Sequence, residues 1–189
     1  QAIRSFLETD PRPAIYFDAE SKLDPTWALR NGLDIDRLAI FRGYDENMNR
    51  FGQETMLKMI TMAVSQDLCG LIVIDSLAAM APQQVGIGDK GDPEYGKVVM
   101  GVRARNFGDF FAVIPSQLFA RKITLLIINQ LRDSLNPYGE SFVEPGGRAK
   151  NYGYSINVRL SRPAYIIDTE TKESIGITFN GKVRKNSTA

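Results

Sequence analysis

Apolar positions along the chain follow two periods that alternate. Residues 1–8 place Ala2, Ile3, Phe6 and Leu7 at helical spacing, and the "DPRP" that follows ends that helix. "AIYFDA" (14–19) reads as a short buried strand. "DPTWALRNG" (24–32) opens on Asp-Pro, which fits an N-cap followed by proline at the first helical position, and it closes on glycine. "LAIFRG" (38–43) predicts a second strand, and Met56, Ile60, Ala63 and Val64 form a helical stripe. "LIVID" (71–75) predicts a third strand. A polar, glycine-rich stretch (82–96) leads into a long helix predicted over about 97–120, kinked at Pro115. "ITLLIIN" (123–129) is the fourth strand, and 131–147 reads as a mobile loop. From about 154 the period becomes two: "YSINVRL", "AYIIDT" and "SIGITFNGKV" predict antiparallel-type strands.

Strands alternating with helices predict an α/β fold. Its central sheet is mostly parallel and flanked by helices, with antiparallel strands toward the C-terminal end. Ligands of such sheets sit at the carboxyl ends of the strands. Asp18, Glu20, Asp75, Ser76, Asn129 and Gln130 all fall there.

Four apolar residues followed by Asp75 form the Walker B pattern, in which a rigid strand holds a carboxylate near Mg²⁺, usually through water. A strand-ending Asp, or Ser76 after it, also serves as an ordinary helix cap. Glu20 on a neighbouring strand end suits the orientation of a water for attack on a terminal phosphate, and equally suits a surface turn. The amides of Asn129 and Gln130 suit contact with a phosphate oxygen and a report to the loop that follows, or a simple turn. "GIGDKG" (86–91) matches G-x-G-x-x-G but lacks the strand–turn–helix context of a dinucleotide site. No G-x-x-x-x-G-K-[ST] occurs: Gly96-Lys97 and Gly181-Lys182 are each followed by valine.

Composition narrows the classes. With 23 basic and 22 acidic residues, bulk charge argues for neither nucleic acid nor membrane. One cysteine suits a reducing cytosol, hence a cytoplasmic protein. With no histidine, a Ser-His-Asp triad or a histidine-based metal site is excluded. No apolar run approaches a membrane span. The chain begins on Gln1 inside an uncapped helix pattern, so the sequence reads as one domain, 1–189, cut from a longer protein.

Taken in order, "IYFDAESKLDPTWALRNGLDIDRL", "LIVIDSLAAMAP", "GDPEYG", "LLIINQLR", "PGGRAKNY" and "KVRKN" resemble the core ATPase domain of the RecA recombinase family. The resemblance implies a RecA-like P-loop NTPase core whose phosphate loop (Walker A) lies just before Gln1. It implies a DNA-dependent ATPase that forms helical filaments on single-stranded DNA, exchanges strands with double-stranded DNA, and uses ATP and Mg²⁺. By position, Glu20 matches the water-activating glutamate, Asp75 the Walker B aspartate, with Ser76 beside it, and Gln130 the γ-phosphate sensor. Asp24 and Trp27 match adenine contacts, with tryptophan in place of the family's usual tyrosine. Residues 84–95 and 131–147 match two DNA loops. Arg105 (with Arg103 competing), Arg132 and Arg148 are the implied phosphate contacts, Tyr138 and Phe142 the stacking or wedging side chains, and Gly146 and Gly147 the loop's return. Lys185 matches one of two lysines that reach a neighbour's ATP; Ser187 stands at the other, with Arg184 nearby. "FRGYDENMNRFGQE" is longer than the usual segment. A helicase-type motor of RecA fold and a non-catalytic DNA- or filament-binding relative are the alternatives.

Overall fold

"AIYF" and "LIVI" are apolar at every position because both faces of their sheet are covered. The structure, a computed structural model, describes residues 1–83, 86–87, 93–94, 101–133, 142–147, 149–161 and 164–188. Its strands are β1 (Ala14–Asp18), β2 (Leu38–Arg42), β3 (Leu71–Asp75), β4 (Gly86–Ile87), β5 (Pro93–Glu94), β6 (Thr124–Ile128), β7 (Arg132–Asp133), β8 (Phe142–Val143), β9 (Ile156–Leu160), β10 (Ala164–Ile167), β11 (Ser174–Thr178) and β12 (Gly181–Asn186). The helices are α1 (Ala2–Thr9), α2 (Pro25–Arg30), α3 (Gln53–Ser65), α4 (Val102–Arg121) and α5 (Ala149–Gly153).

Four strands form one all-parallel sheet in the order β2-β1-β3-β6. Its register aligns the strand ends: Asp18 lies beside Arg42 on one side and Asp75 on the other, and Asp75 lies beside Ile128. Because side chains alternate along a strand, Ala14, Tyr16 and Asp18 share a face with Leu71, Val73 and Asp75. That face is buried with Leu38 and Leu7, against Ile3 and Phe6 of α1 and Leu23 and Leu33. The opposite face carries Ile15, Phe17, Ile72 and Ile74, all buried, with Phe17 stacked on Phe41 at 5.3 Å. On this unit's other helices, α3 buries Met56, Leu57, Ile60, Ala63 and Val64, and α4 buries Phe107, Phe110, Phe111 and Ile114.

Several expectations hold with shifted bounds. Asp24 caps α2 by accepting from the Thr26 amide (2.8 Å), with Pro25 at the first helical position. The long helix starts at Val102, and its helical assignment runs unbroken through Pro115 to Arg121. The expectation for 131–147 changes at its base, where β7 and β8 pair antiparallel and register Arg132 with Val143 and Asp133 with Phe142. "GIGDKG" opens in β4, which pairs antiparallel with β5, and its residues 88–91 lie outside the described residues. The antiparallel character after 154 is present: β9 pairs with β12 and β10 with β11.

The chain divides into two compact units, Gln1–Lys150 and Asn151–Ala189. The first holds the parallel sheet. The second holds the two antiparallel pairs, whose exposed apolar residues include Ile156, Val158 and Val183.

Candidate functional site

Asp18 builds the turn that carries Glu20. Its carboxylate is only 1% exposed and accepts from the backbone amides of Lys22 (3.1 Å) and Leu23 (2.9 Å). This arrangement folds residues 19–23 back over the sheet edge, with Ser21 in the left-handed region at φ 55. The Asp75 carbonyl then accepts from the amides of Ala19 (2.8 Å) and Glu20 (3.3 Å), locking the turn to the neighbouring strand end. Strand propensity explains neither set of bonds: the first is local to the turn, and the second depends on the aligned register of β1 and β3.

The Glu20 carboxylate is the centre of a polar cluster. Its Oε1 accepts from the Ser76 hydroxyl (2.7 Å) and from Gln130 Nε2 (2.8 Å), and its Oε2 accepts from Lys22 Nζ (2.7 Å). Lys22 first, then Ser76, hold the Glu20 carboxyl below its usual pKa. Ser76 therefore spends its hydroxyl on Glu20 and makes no side-chain cap to the short 3₁₀ turn that follows. Asp75 Oδ2 accepts from the Tyr16 hydroxyl (2.6 Å), and burial, then this bond, raises the Tyr16 pKa. At the end of β6, Asn129 Nδ2 donates to the Pro145 carbonyl (3.0 Å), so one dipeptide ties Glu20 to the return of the 131–147 segment.

Beside the cluster lies a cleft of about 370 Å³ lined by Tyr16, Lys22, Leu23, Asp24, Trp27 and Asp75. Trp27 is 62% exposed, which leaves an indole face available for stacking on a planar ring. The cleft thus brings together Asp24, Trp27 and Asp75 from the sequence-derived set, next to Glu20, Ser76 and Gln130. It offers Mg²⁺ one strand-end carboxylate, and no group of three or more Asp, Glu, Cys or His that could hold a metal exists among the described residues. A single carboxylate fits Mg²⁺, which keeps several waters and takes its other ligands from phosphates.

The expected DNA-contacting residues that are described lie elsewhere on the same unit. Arg105 is exposed on the first turn of α4, and Arg132 is exposed on β7. Burial, and then the charges of Arg132 and Arg50, lower the Arg103 pKa, so three arginines share one neighbourhood. Arg50, from the long β2–α3 connection, was not singled out by sequence; only its place in the unusual segment pointed to it. Phe142 is exposed on β8. Gly146 (φ 102) and Gly147 (φ 77) both take backbone angles that favour glycine. Beneath them, Lys150 is 2% exposed and pairs with Glu144 (3.2 Å) while donating to the Gly147 carbonyl (3.1 Å). Tyr138, Arg148 and most of 84–95 lie outside the described residues. In the second unit, Lys185 Nζ donates to the carbonyls of Asn151 (2.9 Å) and Tyr152 (3.4 Å).

The sequence-derived triad of Glu20, Asp75 and Gln130 does meet at one sheet edge. Tyr16 and Lys22 were missed: tyrosine in an apolar strand reads as core, and lysine in a polar turn reads as solvated surface.

Comparison with known proteins gives the family. The RecA N-terminal domain model matches residues 7–189. Among curated relatives, Protein RecA of Tropheryma whipplei is 33% identical over 93% of this chain and 37% of its own length. Protein RecA of Streptomyces ambofaciens is 31% identical over 92% of this chain and 43% of its own, and that of Phytoplasma mali 30% identical over 90% and 47%. The chain thus spans less than half the length of these relatives. A match over nearly all of the chain, falling on a parallel sheet whose strand ends gather Glu20, Asp75 and Gln130, makes this protein a member of the RecA N-terminal domain family.

Proposed function

We propose that this chain is the ATP-processing core of a DNA recombinase, a protein that assembles on single-stranded DNA, hydrolyses ATP at subunit interfaces and promotes strand exchange with duplex DNA. One observation carries the reading: Glu20 Oε1 is shared by Ser76 and Gln130, at the strand edge where Asp75 stands.

Each residue has a task that follows from its position. Trp27 stacks on the base, with Asp24 beside it in the cleft wall. Asp75, oriented by the Tyr16 hydroxyl, is the carboxylate that would hold Mg²⁺. Mg²⁺ bound with the triphosphate supplies charge stabilisation at the phosphoryl oxygens. Glu20, fixed by the turn that Asp18 builds, orients the attacking water and receives its proton. Gln130 exchanges its bond to Glu20 for one to a terminal phosphate oxygen, and through Asn129 and Pro145 that movement reaches the loop. Arg50, Arg103 and Arg132 give this end of the unit the charge needed to meet a phosphate backbone. Lys185 contributes to ATP bound by an adjacent subunit, as its place in the family pattern implies.

The test is ATP hydrolysis by the full-length protein with single-stranded DNA. Glu20→Gln should abolish turnover while ATP and DNA binding persist. Unchanged turnover removes Glu20 from its role, and a protein that binds DNA without hydrolysing ATP supports the non-catalytic alternative.

A further inference from the structure

Lys22 occupies Glu20 in a way the proposed reaction does not use. The turn between β1 and α2 aims it there: Asp18 holds the Lys22 amide, Ser21 takes φ 55, and the ammonium returns onto Glu20 Oε2 at 2.7 Å. With Ser76 and Gln130 on Oε1, both oxygens of Glu20 are engaged by donors. A carboxylate held by three donors, one of them a cation, is a poor acceptor for a proton from water. Gln130 leaves Oε1 in the reaction proposed above, but the cation still engages Oε2, so turnover requires that Lys22 leave as well.

Lys22 is the donor free to do so. Its side chain is 77% exposed against 14% for Glu20, and ion pairs so open to water are weak and readily exchanged. It lines the cleft with Asp75, Asp24 and Trp27, so the lysine that engages Glu20 also borders the cleft. A terminal phosphate, with more negative charge and three acceptor oxygens, competes favourably for a flexible lysine.

We propose, building on the ATP-processing reading above, that Lys22 is a cation that moves from Glu20 Oε2 to the terminal phosphate of a bound nucleoside triphosphate. The move frees Glu20 to take up the attacking water. A diphosphate lacks the group that draws Lys22 away, so Glu20 stays engaged. Lys22 thereby discriminates triphosphate from diphosphate within a single subunit.

The test compares wild type, Lys22→Met and Lys22→Arg in the full-length protein. Binding of a non-hydrolysable ATP analogue and of ADP is followed by Trp27 fluorescence, and single-turnover hydrolysis is measured separately. One charge-assisted contact corresponds to about tenfold to a hundredfold in binding. Lys22→Met should weaken analogue binding by about that factor and leave ADP binding at its wild-type constant. It should also slow single-turnover hydrolysis, and Lys22→Arg should recover most of the analogue affinity. Equal analogue-to-ADP preference in wild type and Lys22→Met, in a protein whose turnover still depends on Glu20, overturns the role of Lys22 alone. Turnover that survives Glu20→Gln, or a wild-type protein that binds neither nucleotide, overturns the ATP-processing reading and this proposal with it.

Discussion

Asp18→Ala is the sharpest probe of how the fold makes the site. The carboxylate is buried and accepts from two backbone amides, Lys22 at 3.1 Å and Leu23 at 2.9 Å. Hydrogen bonds to a charged group contribute about 1.5–3 kcal/mol each, and removing the buried carboxylate recovers part of its desolvation. The net loss should be about 2–4 kcal/mol. With a urea slope of about 2 kcal/mol/M, the unfolding midpoint falls by about 1–2 M. Trp27 is the only tryptophan and lies on the next helix, so its fluorescence follows this unit directly. Hydrogen exchange adds a local readout, because the Lys22 and Leu23 amides lose their acceptors and their protection. A midpoint drop below about 0.5 M, with both amides exchanging as slowly as in wild type, would refute the argument that Asp18 builds the turn.

Other expectations concern the loop return and acid stability. Gly147→Ala forces φ 77 on a residue with a Cβ, 2.9 Å from the Ala104 Cβ, and should destabilise by about 1–2 kcal/mol from backbone strain, with steric cost added. For a chain of this size that lowers Tm by roughly 2–8 °C by calorimetry. The Arg12 guanidinium and amide hold the Asp10 carboxyl at about 2 against an ordinary 3.8. A lowered carboxyl pKa stabilises above the unfolded value and loses that effect as pH falls through the folded one. Acid unfolding should therefore steepen between pH 3.8 and about 2, and Asp10→Asn should flatten that slope in urea midpoints read at several pH values.

The alternation of helix and strand was legible because apolar period reports burial directly. The convergence of Glu20, Asp75 and Gln130 was legible for a geometric reason: parallel strands end at one edge, so residues just past each end become neighbours. What lay beyond the sequence depends on turn geometry and exact register. Nothing in "DAESKL" says that Asp18 turns inward to cap its own turn, or that Lys22 folds back on Glu20. Ser76 looked equally suited to capping, and only its distance to Glu20 decides its role. Tyr16 passed for core because its ring is core; only the hydroxyl reaches Asp75. The pairing of β7 with β8 is not legible in the sequence because two residues on each side carry no period.

The proposed reaction needs a nucleotide in the Trp27–Asp75 cleft with its terminal phosphate toward Glu20 and Gln130. Paramagnetic line broadening in NMR, with Mn²⁺ in place of Mg²⁺ and a non-hydrolysable ATP analogue bound to the full-length protein, tests this directly. The Ser76 amide, the Gln130 side-chain amide and the Trp27 indole N–H should broaden strongly, while Leu68 and Gln117 stay sharp. Sharp signals at Gln130 and Ser76 with bound Mn²⁺-nucleotide would contradict it.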